Sequence, residues 1–217
     1  MTQVCYGLAR GTLIWIMTMD FTEYRAMPIA IKMGSLLALP VLAWGLASAP
    51  VLAQAGFTSA YTDLNLDTDC LVLEADDFGV SWACPGYKGY PVHVSEGDLR
   101  FSVVYGFNID AEPGGQTLSP FNRLDEKLEW RLSNQSGRWL PVATIVRYHT
   151  ADIDTGEDSG QVLVVTQLVE GNSCHIAYVD ARANKDANDL ARAAADAAGD
   201  FDCDSDEIAM PGKFEVW

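Results

Sequence analysis

The chain has 217 residues, 30 acidic and 14 basic, for a formal net charge of −16, and 49% of its residues are apolar. That composition suits one globular domain behind a leader and excludes a disordered or collagen-like chain. A pI near 4.3 also excludes a nucleic-acid binder, because neutralising phosphates takes a surplus of Lys and Arg. An anionic membrane surface is disfavoured on the same ground.

Residues 33–62 hold no charged side chain, and Arg25 and Lys32 precede them. The apolar stretch 36–44 reads as the core of a signal peptide, and Ala53, Gln54 and Ala55 supply a small-x-small cleavage site. Cleavage is expected after Ala55. The earlier Ala47, Ser48, Ala49 site is spoiled by Pro50. A retained anchor is the competing reading, because the run is long enough to span a bilayer. Pro40, Gly45 and Pro50 weaken it, and no basic flank follows. No Cys closes the run, so lipid attachment is not expected. Residues 1–26 read as an over-long start, with Met27 and Met33 as alternative first residues.

Residues 56–217 are expected to form one disulfide-stapled β-rich domain with 11 basic and 28 acidic residues, net −17. It retains four of the five Cys, and an even count behind an export signal points to two disulfides in an oxidising compartment. Short β-branched and aromatic runs predict strands at 70–74, 80–84, 91–95, 99–105, 127–132, 142–149, 161–169 and 174–181. Alternation puts Leu99, Phe101, Val103 and Tyr105 on one face. It does the same for Leu128, Trp130 and Leu132, with Glu129 and Arg131 opposite. Val162 to Val165 is apolar on both faces and suits a central strand. A helix is expected over 185–198, with Ala187, Leu190, Ala191, Ala194 and Ala198 as its buried stripe. Asn184 reads as its N-cap and Gly199 as a left-handed stop. The fold class is therefore α+β: a mostly antiparallel, curled or barrel-like sheet with one C-terminal helix.

A hairpin around residues 75–79 would pair Glu74 with Val80, Val72 with Trp82 and Cys70 with Cys84. Directly opposed residues of a non-hydrogen-bonded pair have the Cα separation a disulfide tolerates. The register favours Cys70–Cys84, which leaves Cys174–Cys203; the other two connectivities stay open.

The catalytic motifs for nucleophile elbows, zinc helices, phosphate loops and dinucleotides are all missing. His93, His149 and His175 fall on separate strands, so a three-His metal site would need those strands to converge. Three acidic clusters invite comparison with calcium loops. In the first, Asp63, Asn65, Asp67 and Glu74 mimic an EF-hand, but Thr68 stands where a Gly is needed. In the second, Asp152, Asp154, Glu157 and Asp158 lie in a hairpin connection and are the best metal candidates. Asp200, Asp202, Asp204 and Asp206 form the third. Solvated acidic loops account for all three without a metal. Trp82, Tyr87 and Tyr90 surround a Gly-rich turn and are candidate ligand contacts, or else a cover for the end of a small core.

The run Trp82-x-Cys84-x-Gly86-x-x-Gly89-x-Pro91, then Glu96 to Arg100, and later Cys174-His175-x-Ala177-x-Val179-Asp180, carries a resemblance. It resembles small exported proteins of Gram-negative bacteria to which no function is assigned, over most of residues 60–205. The resemblance implies export and a single domain, and it transfers no activity.

The expected function is a soluble, non-enzymatic binding module in the periplasm or medium, free of the membrane after cleavage. A strongly acidic domain attracts basic surfaces, so a basic protein or peptide, or a divalent cation such as calcium, is the expected partner. The alternative is a hydrolase built from carboxylates or from His149 and His175. No other cofactor is expected.

Overall fold

Residues 56–107 and 115–216 are described in the computed structural model. In chain order the strands are β1 (Phe57–Asp63), β2 (Leu71–Ala75), β3 (Gly79–Pro85), β4 (Pro91–Gly97) and β5 (Arg100–Tyr105). They continue with β6 (Phe121–Ser133), β7 (Leu140–Ala151), β8 (Asp158–Gln167) and β9 (Cys174–Asp180), and the helix α1 (Ala187–Asp196) follows. All strand pairs are antiparallel. One sheet runs β1-β6-β7-β8-β9 and the other β2-β3-β4-β5. The curl is achieved by two open sheets laid face to face, not by closure into a cylinder. The expected signal peptide and cleavage site lie outside the described residues.

Side-chain alternation explains the layers. Leu128, Trp130 and Leu132 of β6, Val146 and Tyr148 of β7, and Val162 and Val164 of β8 point one way. They meet Cys84, Val92, Val94, Val103 and Tyr105 of the smaller sheet. The intervening residues Ala143, Ile145, Leu163 and Val165 point the other way and meet Ala187, Ala191, Ala195 and Ala198. The five-stranded sheet is thus buried on both faces, which is why β8 carries an unbroken apolar run. The helix contributes only Ala at its deepest positions, so its axis can lie close to the strands.

Glu129 and Arg131, set opposite the apolar face, do not face water. Arg131 forms a fork with Asp196, Nε donating to Oδ1 at 2.5 Å and Nη2 to Oδ2 at 2.8 Å. Arg192 Nε donates to Glu129 Oε1 at 2.7 Å, and Ser59 Oγ donates to the same oxygen at 2.5 Å. Two bidentate or near-bidentate pairs therefore pin the helix to the β1–β6 side of the sheet.

Both disulfides follow the favoured pairing, with Cα separations of 4.3 Å for Cys70–Cys84 and 5.9 Å for Cys174–Cys203. Such bonds belong to an oxidising environment. The β2–β3 register holds at Val72↔Trp82 and then slips: Glu74 faces Ser81 and Ala75 faces Val80. A bulge between Val72 and Glu74 absorbs one residue, which overturns the expected Glu74–Val80 pair.

Other boundaries are corrected too. β1 is a strand although it was not expected as one, and β6 begins at Phe121 rather than 127. The helix is shorter than 185–198, with Asp186 at its N-cap. Asn184 serves the C-terminal segment instead: its Nδ2 donates to the Asp180 and Lys213 carbonyls at 2.9 and 2.7 Å, and its Oδ1 accepts from Lys213 N–H at 2.9 Å. Gly199 is not left-handed; the chain leaves the helix through a 3-10 turn at Ala198–Asp200. Among the described residues no helix is long and apolar enough to cross a membrane.

Candidate functional site

The register of the smaller sheet places a row of side chains at the mouth of the sandwich. Val80 faces Glu96, Glu96 faces Phe101, and Trp82 faces Val94, which faces Val103. Trp82, Glu96 and Phe101 therefore project from the same face, and the rings of Trp82 and Phe101 stack at 6.2 Å and 20°. The β4–β5 turn adds Leu99. Asp98 and Leu99 have φ of 52° and 60°, the conformation of a tight hairpin turn that usually selects Asn-Gly. A Leu there carries a backbone cost of about 1–2 kcal/mol. It is held by Glu96 Oε1, which accepts from Leu99 N–H at 3.0 Å, and by the Leu99 carbonyl, which accepts from Asn122 N–H at 2.9 Å. The expectation that Leu99 lies within a strand is corrected: it is an exposed turn residue at the rim.

The larger sheet supplies the opposite wall. Phe121 pairs with Ala151, Asn122 with Thr150 and Arg123 with His149, and Ala151 pairs in turn with Asp158. Buried Asn122 joins the two walls, its Oδ1 accepting from Phe101 N–H at 2.9 Å and its Nδ2 donating to the Pro120 carbonyl at 3.0 Å. Between the walls lies a cleft of about 450 Å³ lined by Trp82, Phe101, Phe121, Glu96, Arg123, His149 and Asp158, among others. That volume is in the range of ligand-binding clefts, and its mixture of aromatic walls with a few charges is typical of them.

Opposite charges are paired only loosely around this cleft. Arg123 and Asp158 stand 3.8 Å apart, and Asp125 lies 3.8 Å from His149 Nε2 and 3.7 Å from Arg147 Nε. Burial, and then the neighbouring Arg123, hold His149 below the usual histidine range, so it is neutral at neutral pH.

Of the sequence candidates, Trp82 and Asp158 meet in this cleft, and His149 joins them. Tyr87 and Tyr90 do not. Their rings stand 6.4 and 5.5 Å from that of buried Trp130, closing the end of the core. Asp152 organises its own loop, with Oδ1 accepting from Asp154 N–H (3.0 Å), Thr155 N–H (2.9 Å) and the Thr155 hydroxyl (3.1 Å). Those bonds hold its carboxyl below the ordinary range. Asp154 and Glu157 are exposed beside it. The other acidic clusters use the same device, Asn65 accepting from the amides of Asp67 and Thr68, and Asp202 from that of Asp204. Among the described residues no group of three or more His, Cys, Asp or Glu side chains is placed to share a metal ion. His175 is buried on β9, its Nδ1 2.9 Å from the Tyr178 hydroxyl, and it does not line the cleft.

Leu99, Glu96, Phe101 and Phe121 were missed as site residues. The one local signal was the pair Asp98-Leu99 set between two strand patterns, which marks a strained turn. The fold and cleft define a disulfide-stapled, three-layer β-β-α domain with an aromatic-walled cleft at one end of its sandwich. Comparison with protein-family models, with curated proteins and with solved structures finds no match to this chain.

Proposed function

We propose that the protein is an exported, non-enzymatic binding module, released after Ala55 into the periplasm or medium, that holds a basic protein or peptide. One observation carries this reading: the cleft pairs stacked aromatic walls with carboxylates at its rim. A Lys or Arg side chain from a partner would lay its stem and cation along Trp82 and Phe101. Its charge would sit near Glu96 and Asp158, where the 3.8 Å contact of Arg123 is long enough to be displaced. The surrounding charge of −17 over residues 56–217 steers basic partners toward this surface.

Titration of the protein recovered from the periplasm with lysozyme and with a cationic peptide, followed by tryptophan fluorescence, tests this. Trp82→Ala and Phe101→Ala are each expected to weaken binding at least ~10-fold at physiological salt, and Trp82→Phe to retain most of it. Binding that is absent at that salt, or indifferent to these variants, contradicts the reading. Calcium in the same titration tests the divalent-cation partner through Asp152, Asp154, Glu157 and Asp158. For export, N-terminal sequencing is expected to begin at Gly56; a retained 33–55 segment in the membrane fraction contradicts it.

A second reading, a hydrolase, is favoured by neutral His149 at the cleft with Asp125 3.8 Å from its Nε2, because a neutral imidazole can accept a proton. Against it, the described residues that line the cleft include no Ser, Thr or Cys. Glu96 is also already engaged by Leu99 N–H. Turnover of an ester or glycoside substrate that is lost in His149→Ala would establish the hydrolase over the binder.

A further inference from the structure

We infer that the outer edge of β2 docks an extended cationic segment by strand addition; the inference rests on the reading of the protein as a binder of basic partners and names a second contact. Hydrogen-bond phase comes first. The 4.3 Å Cα separation of Cys70 and Cys84 marks a non-hydrogen-bonded pair. Leu71 then forms a hydrogen-bonded pair with Ala83, and Val72, opposite Trp82, turns its N–H and C=O away from β3. From the other end, Asp76 N–H donates to the Gly79 carbonyl at 3.0 Å. Ala75, opposite Val80, is therefore also in a non-hydrogen-bonded pair and faces outward. Among the described residues β2 has β3 as its only strand neighbour. Two other strand edges are covered. β9 is bridged by Ala209, and β5 is capped by Asn122 and Thr117, which bond the Phe101 amide and carbonyl.

The edge is also apolar. Leu71, Val72 and Leu73 are 69%, 52% and 54% exposed, and Phe78 at the hairpin tip is 88% exposed. Three consecutive exposed apolar residues on an open edge make a template for another strand. Charge selects its occupant. From Leu64 to Tyr87 the chain carries Asp67, Asp69, Glu74, Asp76 and Asp77 and no Lys, Arg or His. None of these five carboxylates is in an ion pair with another described residue. A second copy would bring the same carboxylates against one another, and like charges across strands destabilise pairing. A segment alternating basic and apolar residues meets the exposed amides, the Leu and Val side chains and the carboxylates together.

The test uses the protein recovered from the periplasm, a fluorescein-labelled Lys-Val-Lys-Val-Lys-Val peptide and its Glu-Val counterpart, read by anisotropy. The Lys peptide is expected to bind and the Glu peptide not. Val72→Pro removes an outward N–H and no bond to β3, a position where an edge strand accepts proline. With both disulfides retained, it is expected to weaken binding at least ~10-fold. Combined Asp69→Asn, Glu74→Gln and Asp77→Asn is expected to weaken binding about as much and to flatten its salt dependence. Combined Leu71→Lys and Leu73→Lys, which leaves the backbone intact, serves the same purpose should the proline variant fail to fold. Binding unchanged in these variants, equal binding of the Glu peptide, or self-association through this edge overturns the inference. Loss of binding in Trp82→Ala with none in the edge variants leaves the cleft reading standing and removes this one.

Discussion

Trp130→Ala is expected to lower the unfolding free energy of the oxidised protein by about 3–5 kcal/mol, the usual cost of emptying a buried aromatic site. The indole is fully buried and sits where three parts of the fold meet. Its ring stands 5.9 Å from that of Tyr105 in an edge-on contact and 5.5 Å from that of Tyr90. Its Nε1 donates to Thr62 Oγ1 on β1 at 2.9 Å, so truncation also leaves that hydroxyl without its partner. The Tyr87–Gly89 turn packs so closely over it that a Cβ on Gly86 would lie 2.5 Å from the ring. A smaller residue cannot be covered by collapse of that turn, because Cys84 just before it is held by a disulfide. Urea unfolding of the wild type and the variant, with disulfides intact, measures the difference. A loss below about 1 kcal/mol would mean the site is not the packed centre described here.

Acidification is expected to destabilise the fold through His175. Burial lowers this side chain from 6.5 to about 4. Between those values the unfolded chain carries a proton that the folded chain does not. Stability therefore rises with pH across this window and is lost as pH falls through it, by about 3 kcal/mol at most. His175→Gln removes this titration. The difference in unfolding free energy between pH 7 and pH 4.5 is expected to be roughly 2 kcal/mol smaller in the variant than in the wild type. Identical pH dependence in the two proteins would show that His175 is hydrated in the fold.

Much of the smaller sheet was legible because each β3–β5 strand alternates and is closed by Gly, Pro or Asp. Val72↔Trp82 and the Cys70–Cys84 bond were reached by counting from a Glu74–Val80 pair that does not form, and the bulge between Val72 and Glu74 makes up the one-residue offset. Counting fails at a bulge, and nothing in Leu73 or Glu74 announces one. β1 was hidden because it continues an uncharged run that reads as leader, so its seven residues lacked a boundary. The first half of β6 was hidden because Asp125, Glu126 and Lys127 set three charges in a row that break the alternation, where its register with β7 also shifts.

The site was legible in pieces. Trp82 was singled out for its aromatic ring, Asp158 for its charge and His149 for its imidazole, each for a different chemistry. Their meeting depends on how two sheets are stacked, and the spacing along one strand carries no trace of that. For the same reason Glu129 and Arg131 gave no hint of their partners Arg192 and Asp196, which lie 63 and 65 residues away. Charged residues opposite an apolar face read as solvent-facing until a second layer is known.

The central claim is that the cleft between the sheets receives a basic partner. It is tested most directly by mapping amide and indole chemical shifts of the ¹⁵N-labelled protein as lysozyme or a cationic peptide is added at physiological salt. Shifts centred on the Trp82 indole and the amides of Phe101, Phe121 and His149 are the predicted result. No shift, or shifts confined to acidic residues remote from the cleft such as Asp202, Asp204 and Asp206, would contradict it.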